Sequence, residues 1–293
     1  MKNKVLTGLL LVLIGGWGNL LAQNAGSNYA RQVNTLIGTK GVGLTSGYLY
    51  PGATYPYGMV QFTPSYFSKR SGFVINQLSG GGCEHMGNFP TFPVKGKLKM
   101  SPDNILNYRI NISEEKGHAG YYEAMVQEDI KAKLTVTERT GMASYEYPAD
   151  QQYGTVIIGG GISATPIEQA AIVITAPNKC EGYAEGGNFC GLRTPYKVYF
   201  VAEFDADALE SGTWKRDELK PNTTFAEGEY SGVYFTFDVS KKKNVQYKIG
   251  VSYVSVENAR ENLKAENTGW DFLQIQNQAE SKWNHYLGKI EVE

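Results

Sequence analysis

A repeated two-residue alternation constrains this chain more than any other feature. Ile130, Ala132, Leu134 and Val136 alternate with Lys131, Lys133, Thr135 and Thr137, which gives the one apolar and one polar face of a half-buried strand. The spacing returns at Tyr196, Val198, Phe200, Ala202 and Phe204, at Val233, Phe235, Phe237 and Val239, and at Val245, Tyr247, Ile249, Val251 and Tyr253. Between the last two runs, residues 240–244 form a polar turn of hairpin length. Glycine-rich breaks at 159–161, 186–187 and 228 punctuate the strands, and 20 tyrosines with 12 phenylalanines supply bulky β-formers. The fold these runs predict is all-β: a two-sheet antiparallel β-sandwich, each sheet covering the other's apolar face.

The period changes after Tyr253. Val256, Ala259, Arg260 and Leu263 stand at helical spacing behind a capping Ser255. After the Gly269 break, Phe272, Ile275, Ala279, Trp283 and Leu287 make a second stripe, and residues 289–293 begin to resemble another strand. The organisation is therefore residues 1–22 as an export signal, 23–254 as the sandwich and 255–293 as C-terminal linker helices. Those helices either lie back on the sandwich or lead to a following domain.

The export signal rests on Lys2 and Lys4 ahead of an apolar run over residues 5–14 and a small-residue stretch ending at Ala22. That run is too short to cross a bilayer, which takes about 20 residues, and no later stretch is long and apolar enough to span. A soluble product in the periplasm or outside the cell is expected. With 28 basic and 29 acidic residues, and no basic run interleaved with aromatic side chains, nucleic acid is excluded as a partner class. In an oxidising compartment Cys83, Cys180 and Cys190 allow one disulfide and one thiol. Cys180 with Cys190, which closes a short loop, is the first pairing expected. Three buried thiols fit the sequence equally well.

Catalytic and metal signatures are weak. The glycine-rich runs at 38–43 and 79–83 lack the Lys-Ser/Thr ending of a phosphate loop. Cys83 and His85 offer only two metal ligands where zinc takes about four. Pairs such as Glu114-Glu115 and Glu128-Asp129 have solvated charge as their default explanation, and no two carboxylates are singled out to flank a glycosidic bond. No catalytic residue and no metal ligand is assigned.

Longer motifs carry a resemblance. Val33-Asn34-Thr35-Leu36-Ile37-Gly38-Thr39, followed by Tyr50-Pro51-Gly52-Ala53-Thr54-Tyr55-Pro56-Tyr57-Gly58-Met59-Val60-Gln61, resembles the opening of glycoside hydrolase family 92, bacterial exo-acting α-mannosidases that need calcium. Gln77-Leu78-Ser79-Gly80-Gly81-Gly82-Cys83, Gly87-Asn88-Phe89-Pro90, Gly187-Asn188-Phe189-Cys190-Gly191 and the run from 254 to 284 continue it in order. The matches correspond to the family's N-terminal domain alone. The resemblance implies a galactose-mutarotase-like sandwich packed through the linker helices on a catalytic (α/α) barrel that would begin just after Glu293. In that family the barrel supplies the acid, the base and most calcium contacts, so no cofactor is expected within this chain. The sandwich adds loops to the rim of the sugar pocket.

On that basis Tyr48, Tyr50, Gln77, Ser79, Glu84 and Asn88 are the residues expected at a carbohydrate or interdomain rim, with Tyr48 and Tyr50 as stacking faces on a glycine-rich loop outside the core. Trp270 and Trp283 are expected to anchor the helices, and Trp214 to lie in the core. The sequence departs from the family where sugar would sit: Gln77 and Asn88 stand where histidine and aspartate are common, Ser65 stands for another aspartate, and residues 40–48 contain no histidine. Gln77 and Asn88 still hydrogen-bond hydroxyls. The expected partners are a mannoside-like glycan or a catalytic barrel. Three readings follow: the front part of a split hydrolase, a freestanding carbohydrate-binding module, or a structural remnant without ligand.

Overall fold

The computed structural model describes residues 28–39, 49–65, 72–103 and 111–291. The expected export signal and Tyr48 lie outside the described residues. The chain forms α1 (Tyr29–Gln32), β1 (Ala53–Thr54), β2 (Gln61–Pro64), β3 (Phe73–Val74), β4 (Thr91–Lys95), β5 (Ile112–His118), β6 (Tyr121–Val126), β7 (Ile130–Val136), β8 (Thr140–Glu146) and β9 (Tyr153–Gly159). It continues through β10 (Ile167–Ala176), β11 (Lys179–Phe189), β12 (Leu192–Phe204), β13 (Glu210–Lys215), β14 (Glu218–Pro221), β15 (Phe225–Glu227), β16 (Ser231–Asp238) and β17 (Asn244–Ser252). Two helices, α2 (Val256–Glu266) and α3 (Phe272–Leu287), close it.

The strands make two antiparallel sheets. One has eight strands in the order β1-β2-β3-β4-β9-β16-β13-β14, and the other has nine in the order β15-β10-β11-β12-β17-β8-β7-β6-β5. Within the strands the alternating runs point their apolar residues inward: Leu134, Phe200, Phe204, Phe235 and Tyr247 are completely or almost completely buried, as is Trp214, while Tyr253, past the end of β17, is 38% exposed. Rings meet across the gap, Phe73 stacking on Tyr145 at 6.2 Å and Phe204 against Phe235 at 4.9 Å. Each such side chain contributes about 1.5–3 kcal/mol of burial free energy, so the two sheets hold each other.

Helices α2 and α3 lie on the outer face of the nine-stranded sheet. Ser255 caps α2 by accepting from the Asn258 amide, and Ala259 and Leu263 pack on Val201. Gly250 makes that approach possible, because a Cβ there would sit 2.5 Å from the Ala259 carbonyl oxygen. Asp271 caps α3, which buries Ile275 and Ala279. Glu280, also on this buried stripe, receives hydrogen bonds from Arg31 Nε at 3.0 Å, His118 Nε2 at 2.9 Å and Gln276 Nε2 at 2.6 Å. The carboxylate thereby ties α1, the end of β5 and α3 together. Among the described residues no helix is long and apolar enough to cross a membrane.

Four local expectations are corrected. Residues 240–244 do not close a hairpin: β16 pairs with β13 and β9 while β17 pairs with β12 and β8, so the segment carries the chain from one sheet to the other. Gly186-Gly187 does not end a strand, since β11 runs through it with a register shift that the φ of 139° at Gly187 accommodates. Residues 289–291 are not a strand; Gly288 caps α3 and Lys289 N bonds back to the Tyr286 carbonyl.

The disulfide joins Cys83 to Cys190, not Cys180 to Cys190. Cys180 opposite Ala202 and the tip residue Cys190 stand at the two ends of β11, and about 3.3 Å of rise per residue separates them by about 30 Å. Cys180 is a fully buried thiol whose pKa burial pushes up, with the Glu181 charge adding to it.

Candidate functional site

At one end of the sandwich a cleft of about 570 Å³ is bounded by β1, the turn before β2, the segment after β3, the chain after β17, and α3. Its walls include Tyr55, Met59, Asn76, Gln77, Leu78, Ser79, Met86, Tyr253 and Trp283, and among the described residues no Asp, Glu, Lys, Arg or His lines it. Trp283 is fixed by its indole Nε1, which donates to the Thr54 carbonyl at 2.7 Å. Its ring is therefore both the anchor of α3 on β1 and a cleft wall.

An amide network underlies the floor. Asn76 Nδ2 donates to Asn88 Oδ1 at 3.1 Å and to the Tyr253 hydroxyl at 3.3 Å. The Asn88 amide N donates to Asn76 Oδ1 at 2.8 Å, and the Tyr196 hydroxyl donates to Asn88 Oδ1 at 3.0 Å. Burial pushes the phenols of Tyr196 and Tyr253 above 10.0, so both stay neutral hydroxyls at physiological pH.

Gln77 differs from its neighbours. It is 3% exposed, lines the cleft, and neither Oε1 nor Nε2 has a hydrogen-bond partner. Each unmatched buried polar group costs about 1–3 kcal/mol, and both Gln77 atoms are closed off from solvent, so a group presenting both a donor and an acceptor would recover that cost once the side chain turned into the cleft. Backbone pairing with Met86, together with the Gly87 amide donating to the Asn76 carbonyl at 2.8 Å, holds Gln77 at the neck of the 77–86 loop.

The rim residues expected from sequence fall in different places. Gln77 and Ser79 line the cleft, and Ser79 Oγ accepts from the Tyr50 amide at 3.4 Å. Asn88 is fully buried beneath it with Nδ2 unmatched, and Glu84 is half-buried in the loop away from the lining. Tyr50 is 6% exposed, so it presents no open face for stacking, and its amide donates to Ser79 of the 77–86 loop. Trp214 is buried in the core, and Trp270 lies under the Lys248 ammonium, 4.4 Å from its ring centroid. Tyr253 and Trp283 supply the aromatic walls instead. Their signal is indirect: Tyr253 is the last member of a regular alternation and falls just past the end of β17, and Trp283 sits on an amphipathic stripe.

A broader depression of about 840 Å³ runs along the outward face of α3. It is polar, with Gln274, Asn277, Gln278 and Lys282 on its floor, and it meets the cleft at Tyr55. Calcium takes six to eight oxygen ligands with carboxylates among them. The cleft offers only neutral donors, and among the described residues no three His, Cys, Asp or Glu side chains come together. The described residues thus do not fit the calcium expected of a complete family enzyme.

These features define a two-sheet antiparallel sandwich with a neutral, amide-floored and aromatic-walled cleft beside its C-terminal helices. Residues 32–252 match the Glycosyl hydrolase family 92 N-terminal domain, and the chain belongs to that family. It is 26% identical to an uncharacterized secreted glycosidase of Arthroderma benhamiae, over 89% of this chain and 38% of the relative. A family GH92 alpha-mannosidase of Bacteroides thetaiotaomicron superposes with a TM-score of 0.76 at 25% identity, over 89% of this chain and 38% of that one. An inverting family GH92 mannosidase of the same organism gives 0.70 at 25% identity, over 84% and 34%. The chain spans less than two-fifths of the length of each of these three relatives.

Proposed function

We propose that this chain is the non-catalytic N-terminal domain of an exported family 92 glycosidase, and that its cleft supplies neutral hydrogen-bonding groups to a glycan held against the rest of the enzyme. The observation that carries this reading is Gln77, a buried amide without partners beside a cleft whose described lining includes no Asp, Glu, Lys, Arg or His. An amide reads a hydroxyl as donor and acceptor at once, and Tyr253, Trp283 and Met59 offer an apolar wall to a sugar face. The secreted fungal relative and the Bacteroides mannosidases support export and a mannoside as the glycan.

A supporting role toward a catalytic barrel fits the same face. Met59, Leu78, Tyr253, Val254 and Leu273 are 37%, 45%, 38%, 73% and 58% exposed around the cleft and the adjoining helix. Apolar side chains gathered on one face mark an interaction surface.

Titration of the chain with methyl α-D-mannoside, followed by NMR, tests the reading. Saturable binding in the millimolar range, about 4 kcal/mol, with no release of nitrophenol from 4-nitrophenyl α-mannoside, is the expected result. Hydrolysis by this chain alone would overturn the non-catalytic assignment. Failure to bind any neutral glycoside would leave only the supporting role.

A further inference from the structure

We propose that the Cys83–Cys190 disulfide is a positioning strut that holds the Gln77 side of the cleft in its binding geometry. The proposal rests on the cleft being the glycan site. The bond links two segments 107 residues apart in sequence. One is the loop between Gln77 and Met86, whose two ends pair across an isolated bridge. Both end residues line the cleft, as do Leu78 and Ser79. The other is the tip of the β11–β12 hairpin, where Phe189 pairs with Leu192.

The loop is tied elsewhere at Ser79, whose Oγ accepts from the Tyr50 amide at 3.4 Å, and at Met86, whose carbonyl accepts from the Ala164 amide at 2.7 Å. Leu78, Ser79 and Gly80 are exposed. Gly80, Gly82, Met86 and Gly87 all have φ between 57° and 77°. Three of these four are glycines, which are the residues with the largest conformational freedom to lose on ordering. Against that freedom stand the disulfide and a small set of contacts beside it. His85 packs edge-on against Phe189 and Tyr196, with ring centroids 5.1 Å and 5.6 Å away, and its Nδ1 lies 3.4 Å from the Asn188 carbonyl oxygen. These contacts place the loop against the hairpin tip, and the hairpin is rigid because β11 and β12 pair along nearly their whole length. The disulfide thus transfers the order of a long two-stranded ribbon to a glycine-rich loop. The loop in turn sets where Gln77, Leu78, Ser79 and Met86 stand.

The test compares the oxidised chain, the chain reduced with TCEP, and the Cys83→Ser/Cys190→Ser variant by hydrogen exchange and by titration with methyl α-D-mannoside. The informative amides are Ile75, Gly87, Asn88 and Gly191, which donate to Asn88 O, Asn76 O, Asn76 Oδ1 and Asn188 Oδ1. Breaking the strut is expected to speed exchange at these amides at least about tenfold while core amides of β7 and β17 keep their protection. Mannoside affinity is expected to fall about tenfold in the same samples. Unchanged exchange at the four amides overturns the proposal, as does an equal rise throughout β7 and β17, which would make the bond a general staple. Altered loop exchange with unaltered affinity also overturns it. If the oxidised chain binds no mannoside, the glycan reading fails by itself, and with it the cleft geometry this strut is said to serve.

Discussion

Replacing Glu280 with glutamine removes the carboxylate that joins α1, β5 and α3. The Glu280 side chain is 5% exposed. Burial by itself would raise its pKa, but hydrogen bonds from Arg31, His118 and Gln276 outweigh that and hold the carboxyl at about 2, against an ordinary value of 4.5. At about 1.4 kcal/mol per pH unit this difference corresponds to about 3 kcal/mol. Arg31 is 55% exposed, so solvent screening reduces the contribution to about 1.5–2 kcal/mol. Because the folded-state pKa is depressed, the stabilisation is present in full above 4.5 and is lost as pH falls from 4.5 toward 2. Urea unfolding of the wild type and Glu280→Gln at half-unit steps from pH 7 to pH 2.5 measures it. The wild type is expected to be more stable by about 2 kcal/mol at pH 7, with the gap closing below pH 4.5. A gap that stays constant down to pH 2.5 would refute the electrostatic reasoning and reduce Glu280 to packing.

The remaining predictions concern the cleft and the two helices. Gln77→Leu removes two unmatched buried polar atoms, so thermal unfolding should show a gain of about 1 kcal/mol while mannoside binding, followed by NMR titration, is lost. Gly120→Ala places a methyl 2.9 Å from Ala279 Cβ at a φ of 89°, and a destabilisation of about 2–3 kcal/mol in denaturant unfolding is expected. Ser255→Ala deletes the α2 cap that accepts from the Asn258 amide at 3.1 Å; about 1 kcal/mol should be lost, with faster exchange confined to the first turn of that helix.

The sandwich was legible because burial imposes a period. Ile130, Ala132, Leu134 and Val136 are each fully buried, and Lys131 and Lys133 between them are half-buried, whereas Thr135 is also buried, its hydroxyl donating to the Gly120 carbonyl at 2.9 Å. Helix starts were legible for a similar local reason, since Ser255 caps by its own side chain. Pairing between distant segments leaves no such mark. Nothing local distinguishes the arch at 240–244 from a hairpin turn, and cysteine spacing along the chain says nothing about which sulfurs meet in space. At the cleft, Gln77 and Ser79 were found through the resemblance. Tyr50 is buried although it follows a glycine-rich run, because its burial is set by distant segments that leave no local mark. Tyr253 and Trp283 became cleft walls only because a strand end and a helix converge there.

The nine-stranded sheet ends in β5 on one side and the three-residue β15 on the other. In β5 the register shifts between Ser113 and Lys116, Glu114 takes a φ of 51°, and Glu114, Glu115 and Lys116 are consecutive charges. A bulged and charged edge offers a poor template for another strand, and a very short one offers little length to copy. With a net charge of −1, the protein has almost no long-range repulsion to keep its copies apart. In the nine-stranded sheet, resistance to edge-to-edge polymerisation therefore lies in the irregularity of its two outermost strands.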